Sequence, residues 1–178
     1  MASESPASEA KPRLLIAYDG SDLAAAAVRS AAELFAGSPA LIVTVWEPGL
    51  VAMAAVNPPG LGGAGIAPVE VDPEVVSELE KAGEQHAEVI AREGAQLAVS
   101  FGLDAQPHAI PGEMQVAEMI VELAVEHDAA AVVVGSHGIS GLRSRLLGST
   151  SRQVLARCER PVVVIRAGRA SDAQDRLR

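Results

Sequence analysis

Five short runs rich in Val, Ile, Leu and Ala, each parted from the next by a stretch of helical spacing, dictate what this chain can fold into. The runs are Leu14–Tyr18, Leu41–Trp46, Ala105–Ile110, Ala130–Val134 and Val162–Ile165. Four of them are almost continuously apolar, as strands must be when helices cover both faces of their sheet. The third carries Gln106 and His108 and suits a place near the sheet edge. Strand and helix in alternation predict an α/β three-layer sandwich built on a mostly parallel sheet.

The intervening helices carry their own signals. Ser21 or Asp22 can cap a helix running to Phe35, with Ala24, Ala27, Val28, Ala31, Leu34 and Phe35 on one face. Pro73 suits a first helical turn and opens a segment to about Ser100, whose inner side reads Val75, Leu79, Ala82, His86, Ile90 and Leu97. Glu113–His127 places Val116, Ile120, Leu123 and Ala124 at helical spacing. Ser149–Arg157 carries Val154, Leu155 and Cys158 inward, and Thr150-x-x-Gln153 has the form of a capping box.

One junction stands out. The run ending at Val134 empties into Gly135-Ser136-His137-Gly138, and nine residues later Gly148-Ser149-Thr150-Ser151 opens a helix. Glycines let a backbone approach a ligand closely and reach positive φ. A helix N-terminus presents amides and the positive end of its dipole, which favours an anion by roughly 0.3–1 kcal/mol per contact. Gly135, Gly138 and Gly148, with hydroxyls at Ser149, Thr150 and Ser151, therefore predict a phosphate cradle. Simple helix capping would account for the hydroxyls but not for the upstream glycines.

Composition narrows the partners. The chain has 178 residues and a formal charge of −9 (14 Lys and Arg against 23 Asp and Glu), which disfavours nucleic acid and anionic membrane as partners. Cys158 stands alone, so no intramolecular disulfide can form and a reducing compartment is expected. No apolar run reaches membrane-spanning length and no signal core precedes Lys11, which predicts a soluble cytoplasmic protein. A single domain is expected over 13–166, between small polar tails at 1–12 and 167–178. The Gly- and Pro-rich stretch 48–72 reads as a flexible loop. Its Gly60-Leu61-Gly62-Gly63-Ala64-Gly65 matches G-x-G-x-x-G in form only. Pro58-Pro59 precedes it where a strand should, and Pro68 follows where a helix should.

The spacing G-2x-G-9x-G-[S/T] from Gly135 to Ser149 resembles the nucleotide-binding branch of the universal stress protein family. Ile16-Ala17-Tyr18-Asp19-Gly20-Ser21 looks like that family's first strand and its terminal aspartate. Pro111-Gly112 and the closing Pro161-Val162-Val163-Val164-Ile165 add to the likeness, which spans about Arg13 to Arg166. Thr44-Val45 departs from the His-Val of many relatives. The resemblance implies a flavodoxin-like (adenine nucleotide alpha hydrolase-like) fold with five parallel strands in the order 3-2-1-4-5. It also implies ATP binding, with Mg2+, in a stress-response regulator, and a homodimer joined through the last strand. Under that reading Val45 offers backbone groups to adenine, while Ala17 and Val134 line the base and Tyr18 belongs to the same wall.

The remaining candidates keep two readings each. Asp19 would orient the ribose or the adenine end, or reach a metal; otherwise it is a turn residue capping the next helix. His137 could donate to a phosphate or simply face solvent. Arg143 and Arg145 are the nearest positive charges and could clamp terminal phosphates, or only offset the acidic surface. His86, His108 and His127 have no metal-ligand spacing. Glu74, Glu78, Glu80, Glu84 and Glu88 mark the wet face of a helix.

Efficient catalysis is not expected. A P-loop requires a lysine after its last glycine, and here Ser149 follows Gly148 with no lysine beyond Lys81. No nucleophile elbow or HExxH occurs, so at most slow ATP hydrolysis is anticipated. Two other functions fit the same residues: a cyclic-nucleotide (cAMP) pocket on this fold, and a dimeric interaction scaffold that holds no nucleotide.

Overall fold

The computed structural model describes residues 11–48, 72–112, 115–138 and 147–166. Its elements alternate throughout: β1 (Leu14–Ala17), α1 (Asp22–Leu34), β2 (Pro39–Trp46), α2 (Pro73–Ser100), β3 (Asp104–Pro111), α3 (Val116–Glu126), β4 (Ala131–Gly135), α4 (Ser149–Arg157) and β5 (Val162–Ile165). Most of the expected N-terminal tail, the whole of the C-terminal one and the greater part of the 48–72 loop lie outside the described residues, as do Arg143 and Arg145.

The five strands form one parallel sheet in the order β3-β2-β1-β4-β5. Leu14 lies between Ala40 on β2 and Ala131 on β4, so β1 occupies the centre. The pleat sorts successive residues to opposite faces. Leu14, Ile16, Ile42 and Val133 pack with Ala27, Val28 and Ala31 of α1 and with Ala95 and Ala98 of α2. Leu15, Val43, Val132 and Val134 pack with Ile120 and Leu123 of α3 and with Val154 of α4. Leu14, Leu15 and Ile16 are fully buried, each contributing roughly 1.5–3 kcal/mol of apolar burial. The polar strand β3 takes one outer position, in keeping with Gln106 and His108. The opposite edge is β5, all four of whose residues remain partly exposed.

The helix starts follow local chemistry. Ser21 Oγ accepts the Ala24 amide at 3.1 Å to cap α1, and Asp72 Oδ1 accepts the Glu74 amide at 2.9 Å ahead of Pro73 in α2. Two helical faces differ from the sequence reading. On α2 the buried residues are Ala87, Ala91, Gly94, Ala95 and Ala98, while Val75, Ala82 and His86 are exposed. The helix lies so close to the sheet that only small side chains fit beneath it, and the larger apolar ones flank the contact. A Cβ on Gly94 would stand 2.7 Å from Tyr18 Cδ1 and 2.8 Å from Ile42 Cγ2. On α1 and α4, Leu34 and Leu155 face outward. The Thr150–Gln153 capping box does not form, because α4 begins at Ser149 with Gly148 as its N-cap.

Candidate functional site

The chain order creates a crevice. From β1 the chain leaves through α1 on one face of the sheet; from β4 it leaves through α4 on the other. The two loops part at the carboxyl ends of adjacent strands, where doubly wound sheets hold their ligands. A hollow of about 130 Å³ opens there. Since one water needs roughly 10–15 Å³ of such space, it has room for on the order of ten.

Its floor and walls are apolar: Ala17, Val43, Val45 and Val134 from the strands, Ala24 from α1, and Val116 and Ile120 one turn apart on α3. Its rim is polar: Tyr18 and Asp19 after β1, Gly135, His137 and Gly138 after β4, and Thr150 and Ser151 on the first turn of α4. Ten of the sequence candidates thus surround one space. Gly148 and Ser149, the N-cap and first residue of α4, do not line it, and Arg143 lies outside the described residues.

Hydrogen bonds fix this rim. The Tyr18 amide donates to Val43 O at 2.8 Å, and the buried Thr44 hydroxyl donates to Tyr18 O at 2.9 Å, extending the β1–β2 pairing past the strand end. Asp19 Oδ1 accepts the Ser21 amide at 3.0 Å. Gly20 turns the chain between them at φ +79°, a conformation that favours glycine. Across the cleft, the Ser136 amide donates to Ile165 O at 2.7 Å, and the Gly148 amide donates to Ser136 O at 2.7 Å. The Arg152 amide closes the first turn of α4 onto Gly148 O at 3.0 Å. The amides of Ser149, Thr150 and Ser151 therefore precede the helical ladder, where a helix leaves its donors without helical partners.

Two expected details are corrected. Gly135, Gly138 and Gly148 do not adopt positive φ; among the described glycines only Gly20, Gly37 and Gly102 do. Close approach is what demands glycine here. A Cβ at Gly138 would meet Asp19 Oδ2 at 2.6 Å, one at Gly135 would meet His137 O and Leu23 Cγ at 3.2 Å, and one at Gly148 would meet Ser136 O at 3.3 Å. The Ser151 hydroxyl is also committed within the protein: it donates to Gly135 O at 2.6 Å, joining α4 to the end of β4. It braces the cradle and leaves donation to its amide and to Thr150.

The electrostatics are simple. Asp19 is the carboxylate on the rim, and the Tyr18 phenol is pushed above its usual range by burial, then by Glu93 and Asp19. His137 Nδ1 lies 3.1 Å from Ser136 Oγ, while its Nε2 is buried with no hydrogen-bond partner among the described residues. Among the described residues no group of three or more His, Cys, Asp or Glu is placed to hold a metal ion. No helix among them is long and apolar enough to cross a membrane. Sequence reasoning missed Ala24, Val43, Val116 and Ile120 in the cleft. Each looks like any other core residue until the topology opens the sheet beside it.

A doubly wound α/β sheet with an apolar switch-point cleft and a polar, amide-bearing rim defines a class of small-ligand-binding domain. Comparison with known proteins supplies the family. The model of the universal stress protein family matches residues 12–166, and the chain belongs to that family. It is 31% identical to the universal stress protein YxiE of Bacillus subtilis, over 86% of this chain and 98% of the relative. It is equally identical to a universal stress protein of Thermus aquaticus, over 86% of this chain and 97% of that one. Among solved structures it is similar to a universal stress protein in complex with cAMP, at 25% identity and a TM-score of 0.56, covering 89% of this chain and 98% of that one.

Proposed function

We propose that this chain is an ATP-binding universal stress protein, a nucleotide-dependent regulator with at most slow hydrolysis. The observation that carries this reading is the cleft between β1 and β4, apolar inside and rimmed by Gly138, His137 and the first turn of α4. An adenine ring would lie against Ala17, Val45, Val116 and Val134, with the Val45 backbone facing its edge. The triphosphate would run out along Gly135–Gly138 toward the amides of Ser149, Thr150 and Ser151. Arg143 would approach the terminal phosphates from the segment after Gly138.

The residues present fit such a ligand. A Cβ at Gly138 would fill the space against Asp19, so the rim keeps room only because that side chain is missing. A carboxylate repels phosphate, which assigns Asp19 to the ribose hydroxyls or to a cation. Mg2+ typically takes one or two carboxylates, substrate phosphates and water, so Asp19 with the phosphates would suffice for it. When bound, the ion would neutralise phosphate charge on a chain of net charge −9.

The test is direct. Denaturing freshly purified protein and separating the released small molecules by chromatography should yield adenine nucleotide. ATP with Mg2+ at a hundredfold excess over Kd should stabilise the fold by roughly 2.7 kcal/mol. For a chain of this size that raises Tm by about 5–10 °C. A Tm unmoved by millimolar ATP overturns the reading. The similar structure solved with cAMP favours one alternative, a cyclic nucleotide in the same cleft. Competition between ATP and cAMP in a single titration decides between them.

We further infer that the working form is a cytoplasmic homodimer joined through β5. An outer strand of Val162–Ile165 with its apolar side chains partly exposed is a pairing hazard unless a second chain covers it. Light scattering should give twice the chain mass, and Val164→Lys should give the monomer.

A further inference from the structure

Ser136 lies within the glycine-flanked loop, and nothing so far gives its side chain a role. It is 3% exposed, and its backbone is held at both ends, by Ile165 O and by the Gly148 amide. Its hydroxyl stands 3.1 Å from His137 Nδ1. Among the described residues no other partner is recorded for that hydroxyl. A buried hydroxyl proton needs an acceptor. A ring nitrogen bearing its own hydrogen cannot serve, so where the hydroxyl donates to Nδ1 that nitrogen is the unprotonated one. In a neutral imidazole the hydrogen then sits on Nε2. That atom is buried, has no hydrogen-bond partner among the described residues, and belongs to a side chain on the rim beside Gly138.

We propose that Ser136 is a positioning residue that fixes the tautomer of His137, so that Nε2–H is presented as a donor to an acceptor oxygen of the bound nucleotide. The inference rests on the nucleotide reading above and adds the device by which one donor is pre-set before the ligand arrives. A pre-set donor loses no freedom on binding and cannot present a lone pair to a phosphate. It would also discriminate by chemistry. Oxygen acceptors of phosphate or ribose satisfy it, and a ligand that offers only a hydrogen there leaves two donors facing each other.

The ring of His137 in the full-length, ligand-free chain can be read by two-bond ¹⁵N–¹H correlation at neutral to mildly basic pH. The expected pattern is hydrogen on Nε2 in the wild type and a mixture of tautomers in Ser136→Ala. In calorimetric titration with ATP, Ser136→Ala should bind about 3- to 10-fold more weakly, the range of one neutral hydrogen bond. Hydrogen on Nδ1 in the wild type overturns the proposal, and so does ATP affinity unchanged in Ser136→Ala. Should that variant fold poorly, His137→Gln and His137→Asn replace it. Gln keeps an N–H near the place of Nε2, and Asn near that of Nδ1. Gln should retain more affinity, and the reverse order overturns the proposal. A wild type that binds neither ATP nor cAMP overturns the nucleotide reading and this inference with it. The ring pattern, read without ligand, separates that failure from a wrong tautomer.

Discussion

Asp19 and Gly138 approach across the cleft so closely that a Cβ on Gly138 would stand 2.6 Å from Asp19 Oδ2. The two residues lie in the loops that follow different strands and meet because β1 and β4 are neighbours. The φ of Gly138 lies outside the left-handed region, so Gly138→Ala meets a carboxylate rather than backbone strain. The expected variant is folded, with a Tm within a few degrees of wild type and ATP affinity lowered at least tenfold. Adding Asp19→Ser, which can still accept the Ser21 amide, should recover whatever stability was lost. Circular dichroism melts and calorimetry on the two variants check both halves.

Ser151→Ala removes the hydroxyl that donates to Gly135 O at 2.6 Å. Ser151 is buried, so no water readily replaces it and the carbonyl loses a partner. That costs about 1–2 kcal/mol. For a domain of this length Tm should fall by roughly 2–8 °C. Because this bond ties α4 to the end of β4, ATP affinity should fall as well. A variant as stable as wild type would show that the hydroxyl braces nothing.

Much of this architecture was readable in the chain. Near-continuous Val in β4 announces a strand covered on both faces, Gln106 and His108 announce an edge strand, and the equally apolar β5 is the exception, an outer strand left partly exposed. What could not be read were the relations set by packing. The buried stripe of α2 consists of Ala and Gly because the helix presses on Tyr18 and Ile42, whereas helical spacing alone points to Val75, Ala82 and His86 among the inner residues. The spacing of the glycines after β4 points to close backbone approach and positive φ; the structure shows no positive φ there, and the close neighbours are Asp19, Leu23 and Ser136 within the protein. Val116 and Ile120 line the cleft because α3 packs on the same face of the sheet as Val43 and Val134, and no local pattern distinguishes them from Leu123.

Gly94→Ala opposes two effects. In an isolated helix alanine gains about 1 kcal/mol over glycine. Here its Cβ would lie 2.7 Å from the Tyr18 ring and 2.8 Å from Ile42, both held in the sheet core. Overpacking of this kind typically costs about 1–3 kcal/mol. The crowding should win, lowering the urea midpoint and pressing Tyr18 toward the cleft, with weaker ATP binding as the second sign. A rise in the midpoint would show that α2 can lift away without loss.

His108 and His127 meet edge-on, with ring centroids 5.5 Å apart, where β3 faces the end of α3. Burial, and then the charge of His127, lower the pKa of His108 below 6.5, with Glu126 acting in the opposite sense. The unfolded chain, whose His108 is not so hindered, binds its proton first as pH falls. Stability should therefore be complete above the unfolded value near 6.5 and decline as pH drops through it toward the folded one. Urea midpoints measured at pH 7.5 and 5.5 should differ in that direction, and His108→Gln should remove part of the difference. If the variant keeps the full pH dependence, the decline originates elsewhere, and the contact between β3 and α3 does not sense protons.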